Sequence, residues 1–166
     1  MEASVSWDDE TPEQKAAQLR ELEDTIVENL VAAGKDIGVR IRRDAQSKAP
    51  VDETRLRDSI TSNTQKSGSR VRTSIGTNVE YARYHEEGRD PFWPPPSELR
   101  GWASRQLGDP DLAFVVARAI AGESPSGAEG GIEEKRFLRD ALQENEDWAN
   151  DRFKQAIQSA YDEVFG

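Results

Sequence analysis

Apolar residues fall at Leu19, Leu22, Ile26, Leu30, Ala33, Ile37 and Ile41. Steps of three and four place them on one stripe at the helical period, which Val27 and Val31 widen. The start of this helix is written in Thr11, Pro12 and Gln14: a cap, a first-turn proline and the far end of a capping box. Pro50 ends it near Lys48 or Ala49, because the residue before a proline avoids the helical region. A helix from Pro12 to Lys48 would be ~55 Å long at 1.5 Å per residue, more than a small domain needs to cover its own core. Gly34 and Gly38 sit one turn apart on it and mark close packing against another element, or else a kink.

The pattern then shortens. In APVDETRLRDSI, Ala49 to Ile60, Asp52 caps one helical turn over Glu53–Asp58 and Leu56 points inward. Ser59–Thr64 reads as a strand and QKSGS, Gln65–Ser69, as a turn. Arg70–Thr77 alternates, with Val71, Thr73 and Ile75 on one side and Arg70, Arg72 and Ser74 on the other: a half-buried strand completing a hairpin. Tyr81 and Tyr84 are three apart, so YARYHEEG is a short helix or a third strand, stopped by Gly88. PFWPPP, Pro91–Pro96, is an extended aromatic connector.

Helical pattern returns at Ser97–Leu107, with Leu99 and Trp102 on one face. Asp109-Pro110 restarts a helix carrying Leu112, Val115, Val116, Ala119 and Ile120. Gly122–Gly131 is read as a flexible loop and residues 1–10 as a frayed tail. Phe137, Leu138, Ala141 and Leu142 form one cluster; Trp148, Phe153, Ile157, Tyr161 and Val164 form a last stripe. The expectation is a single α+β domain over 1–166: a long N-terminal helix, a small antiparallel sheet (a hairpin with a possible third strand), two inserted helices and a C-terminal helix. A sheet so small leaves edges and apolar surface that neighbouring copies would cover.

Charge narrows the functional classes. The 166 residues carry a net charge of −10, with 32 acidic residues against 22 basic ones. That disfavours a free-standing nucleic-acid binder or a polybasic membrane patch. No apolar run approaches the ~20 residues of a membrane span, and MEASVSWDDE has no signal-peptide pattern. Cysteine is absent, so no disulfide or thiolate metal site is available. Lysine occurs only at Lys15, Lys35, Lys48, Lys66, Lys135 and Lys154; the other sixteen basic residues are arginine. Few lysines among many carboxylates suit a protein built for high salt, where screening weakens carboxylate repulsion.

Catalytic patterns are missing. The single histidine, His85, neighbours Glu80, Glu86 and Glu87 but lacks the two-histidine spacing of zinc enzymes, so YHEEG reads as a solvated acidic turn. Ser59 and Ser74 have no local base, no G-x-S-x-G elbow exists, and AEGGI lacks the lysine of a phosphate loop. No catalytic, metal or cofactor residue is assigned, and the chain is not read as an enzyme. Trp102 reads as core. Trp93, with Phe92, is either an interface anchor or a cover over the sheet, and Trp7 could dock on a neighbour. Arg55, Arg57, Arg70 and Arg72 are interface candidates, because the guanidinium fork meets carboxylates on an adjacent subunit or within the chain.

The order of these blocks resembles the tail-completion or neck proteins of long-tailed phages and related archaeal viruses, at the head–tail junction. Their motif reads A-P-V-D-T-G-x-L-R-x-S-I; Ala49, Pro50, Val51, Asp52, Leu56, Arg57, Ser59 and Ile60 match it. Glu53 and Thr54 replace the usual Thr-Gly, so the turn differs. Tyr81, Ala82, Glu86 and Gly88 match a second block, and Phe137, Leu138, Ala141 and Leu142 a third. The insertion with Trp102 looks like that of a known subgroup. The resemblance spans roughly residues 12–165. It implies a virion protein made in the host cytoplasm, forming a ring with itself, most readily sixfold. Head-side connector proteins and tail terminator or tube proteins would be its partners. DNA would pass the lumen without specific binding, and the acidic composition points to a halophilic, archaeal host. A tail terminator, a head-side stopper, an acidic DNA mimic and a metal-dependent hydrolase using His85 are the competing readings.

Overall fold

A computed structural model describes residues 11–50, 54–125, 127 and 129–166. Helix α1 runs Pro12–Lys48, followed by α2 (Thr54–Ser59) and the antiparallel hairpin β1 (Thr61–Ser67) and β2 (Arg70–Gly76). Helices α3 (Ala82–Glu87), α4 (Pro96–Leu107) and α5 (Ala113–Ile120) come next, α5 entered through a 3-10 turn at Pro110–Leu112. The chain closes with α6 (Phe137–Glu144) and α7 (Glu146–Phe165). This is the expected α+β arrangement. Among the described residues no helix is long and apolar enough to cross a membrane.

The capping box forms as read. The Thr11 amide donates to Gln14 Oε1 at 2.7 Å, and the Gln14 amide donates to Thr11 Oγ1 at 3.3 Å. Two boundaries shift. Ser59 closes α2, where its hydroxyl donates to the Leu56 carbonyl, and β1 begins only at Thr61. The turn narrows to Gly68-Ser69, since Gly68 at φ 59° supplies the backbone geometry that a two-residue hairpin needs. YARYHEEG is a helix: α3 replaces the possible third strand. The Asp52 cap, with Val51 and Glu53, lies outside the described residues.

Contacts group the chain into two compact units. Among the described residues the first comprises 11–40, 62–74 and 145–166. Here the hairpin lies directly on α1. A Cβ on Gly34 would stand 2.6 Å from Thr73 Oγ1, and one on Gly38 would stand 3.0 Å from Ser62 Cβ. The two glycines therefore serve close packing. Thr64 and Thr73 pair through their hydroxyls at 3.0 Å. Helix α7 is fastened to α1 by Arg40 Nε donating to the buried Asn145 Oδ1 (2.7 Å), by Arg40 over the Trp148 ring (4.2 Å), and by the Arg152–Asp36 pair (2.8 Å).

The last stripe is placed differently from the sequence reading. Ala156 and Ala160 are buried, while Ile157 and Tyr161 are about half exposed. Small alanines face α1 here, and Asn29 Nδ2 donates to the Ala156 carbonyl at 3.4 Å. Leu19, the first residue of the α1 stripe, is also exposed.

The second unit comprises the described residues within 41–61 and 75–144. Leu56, Ile60 and Phe137 are its largest fully buried side chains. They answer what the APVDETRLRDSI stretch does: Leu56 and Ile60 pin its turn into the core. From α1, Gln46 Nε2 donates to the Arg57 and Ile60 carbonyls, holding the redirected chain against the helix it has left. Lys48 pairs with Glu144 at 2.8 Å, and that carboxylate holds the ammonium above the usual lysine range. In α5 the buried face is Ala113 and Ala117, whereas Leu112, Phe114 and Val115 are exposed, against the expectation for Leu112 and Val115. In α6 Phe137 and Ala141 are buried and Leu142 is exposed.

Candidate interaction surface

The second motif block is organised around a helix end that lies far ahead in the chain. Glu86, on α3, accepts from the amides of Leu138 and Arg139 at 2.9 Å each, one per carboxylate oxygen. Those amides open α6, so Glu86 caps the helix of the third block and sets a negative charge at its positive end. YHEEG is thus not a solvated acidic turn; His85 and Glu86 are both half-buried. Gly88 ends α3 at φ 71°, where a Cβ would crowd the Ile132 carbonyl and the Glu134 amide at 3.2 Å. Arg89 then exchanges backbone hydrogen bonds with Ile132, and the Lys135 amide donates to the His85 carbonyl.

These bonds frame an open groove of about 980 Å³ in the second unit. Tyr81, Tyr84, Phe92, Trp93 and Trp102 supply its aromatic surface. Arg55, Arg89 and Arg105 bring positive charge, and Glu80 and Glu98 bring negative charge. The Arg89 guanidinium lies 3.6 Å over the Phe92 ring and 4.4 Å over that of Tyr84, tying the proline connector to α3. Trp93 meets Phe114 edge-on at 5.6 Å yet stays 46% exposed. His85 stands edge-on to Tyr81 at 6.2 Å. Large aromatics and arginines sharing a concave surface match the composition of protein–protein contact centres.

Arg55, Tyr81, Phe92, Trp93 and Trp102, which the sequence singled out, therefore share one groove. Arg57 does not; it is half-buried, and its Nε has no hydrogen-bond partner among the described residues. Arg70 and Arg72 are exposed on the hairpin, in the first unit. Trp7 lies outside the described residues. Pro50 is half-buried at the end of α1, and Leu138 is half-buried on α6. Sequence reasoning missed Arg89 and Arg105 in the groove and the cap at Glu86. The glutamate was visible as a motif residue, but its partner lies 52 residues away. Among the described residues the groove lining holds one histidine and two glutamates but no serine, threonine or lysine. Among the described residues no cluster of three or more His, Asp or Glu is placed to hold a metal ion.

The fold is thus a small α+β arrangement with an open aromatic groove. Residues 13–88 match the family model HK97-gp10_like, described as "Bacteriophage HK97-gp10, putative tail-component". The match takes in the long helix, the hairpin and the first two motif blocks, in agreement with the resemblance to tail-completion and neck proteins. It indicates a structural component of a phage tail, hence a virion protein that associates with other virion proteins. No curated protein and no solved structure matches the chain.

Proposed function

We propose that the chain is a ring-forming subunit of the head–tail junction, joining the head connector to the tail around the DNA passage. The match of residues 13–88 to a tail component carries this reading. The geometry supports it in two ways. Glu86, inside the matched stretch, caps the third-block helix outside it, so the motif order reflects one packed arrangement. The groove leaves Trp93 exposed where a virion neighbour would anchor. Six copies would match a sixfold tail. DNA would cross the lumen without specific binding, repelled by the excess of carboxylates. Arginine-rich, lysine-poor composition and a net charge of −10 fit a virus of a salt-adapted, archaeal host.

The test is the size of the purified chain and its place in the virion. Light scattering coupled to gel filtration should give a closed oligomer, and labelled virions should carry the protein at the neck. Loss of the gene should leave filled heads and tails of normal length unjoined. Tails of uncontrolled length would instead make it a terminator. A monomer at every salt concentration, absent from virions, would end the proposal.

A further inference from the structure

The hairpin is an exception to the acidic chain around it. Between Asp58 and Glu80 there is no carboxylate, while Lys66, Arg70 and Arg72 supply three positive charges. All three are exposed, and none joins an ion pair among the described residues. The face of β1 and β2 opposite Thr64 and Thr73 is polar: Asn63, Gln65 and Ser74 accompany the arginines there. The same unit holds the opposite surface. On the first half of α1, Glu21, Glu23, Asp24 and Glu28 are exposed and likewise join no ion pair among the described residues.

We infer that the hairpin's basic face docks on the acidic first half of α1 of a second copy. This rests on the ring reading and supplies its contact and polarity. Each copy carries both faces, and among the described residues neither is matched by an ion pair within the copy. A contact between two different faces is heterologous, the kind that builds a ring where the rotation between copies closes. A second copy suits the hairpin better than a DNA duplex does. A duplex presents a phosphate about every 1.7 Å of its axis, far more charge than three cations match, and the same unit would set the α1 carboxylates against it. Contact pairs that exclude water are screened much less than separated surface charges, so such a contact persists in salt.

The experiment is a charge exchange in the full chain, with assembly followed by sedimentation and folding by circular dichroism. Arg70→Glu with Arg72→Glu should weaken assembly about tenfold or more, and so should Glu21→Arg with Glu28→Arg. Combining all four substitutions reverses both faces and should restore assembly to near the starting affinity. Folded double variants that assemble normally would overturn the inference and leave the ring reading intact. So would a combined variant that folds without recovering. Normal assembly with loss of duplex binding, read by fluorescence anisotropy, would instead assign the hairpin to DNA. An unaltered chain that never assembles would sink both the inference and the reading it rests on.

Discussion

Glu86 shows how one side chain can join two motif blocks. Its two oxygens satisfy two of the amides that every helix leaves unpaired at its start, and they do so from another element. The residue just before that helix, Arg136, has φ 47°, a conformation that non-glycine residues hold only where their surroundings fix them. The Glu86 cap is one such constraint, and the Arg136–Asp140 pair at 3.3 Å is another. Replacing Glu86 with alanine should therefore cost about 1–2 kcal/mol, typical of a lost cap with its charge. Glutamine, which keeps an acceptor but not the charge, should cost less. Urea unfolding of the three proteins checks the order. Equal stability of all three would mean the cap contributes nothing. None of this was legible beforehand, because local pattern reports neighbours three or four residues away and the partners of Glu86 are more than fifty residues distant.

Helix α1 gives the converse case. Its bounds and its capping box were legible, since each depends on residues within a few positions, and of the two readings open for its glycines, packing or a kink, the structure shows packing. Replacing a helical glycine with alanine ordinarily stabilises by about 1 kcal/mol. At Gly34 the sign should reverse, because the new methyl would meet Thr73 Oγ1 at 2.6 Å and disturb its bond to Thr64. A loss of about 1–3 kcal/mol is expected from such overpacking, read as a lower urea midpoint at unchanged slope. The phases of α5 and α7 were misread for a related reason. Hydrophobic size does not mark the inner face here: Ala113, Ala117, Ala156 and Ala160 are buried, while Phe114, Val115, Ile157 and Tyr161 stay exposed. The end of α1 adds a pH-dependent contact. Glu144, by its hydrogen bond and charge, raises the Lys48 pKa above its ordinary 10.5. A raised lysine pKa means stability present below the unfolded value and lost as pH climbs through the folded one. Lys48→Met should therefore flatten the fall in melting temperature above about pH 10 and leave the slope near neutrality unchanged. Because both partners are partly exposed, the difference should be small.

At the scale of the molecule, the ion pairs among the described residues engage nine carboxylates, and the carboxylates outside those pairs repel one another. The outer face of α1 is the densest example, with Glu21, Glu23, Asp24 and Glu28 exposed within eight residues. Screening shortens the reach of this repulsion from about 10 Å at 0.1 M salt to about 3 Å at 1 M. A fold adapted to salt should gain from that change, whereas one held mainly by surface ion pairs should lose. The melting temperature should accordingly rise by about 3–8 °C between 0.1 and 1 M potassium chloride, corresponding to roughly 1–2 kcal/mol for a chain of this length. Potassium chloride is the salt to use, since sulfate would strengthen apolar burial by itself and obscure the cause. Neutralising the four α1 carboxylates to their amides should raise stability in low salt and reduce the dependence. The difference between the two proteins then isolates charge repulsion from any general effect of the salt. A melting temperature that stays flat or falls with salt would remove the case for a salt-adapted virion protein, whatever ring the chain forms.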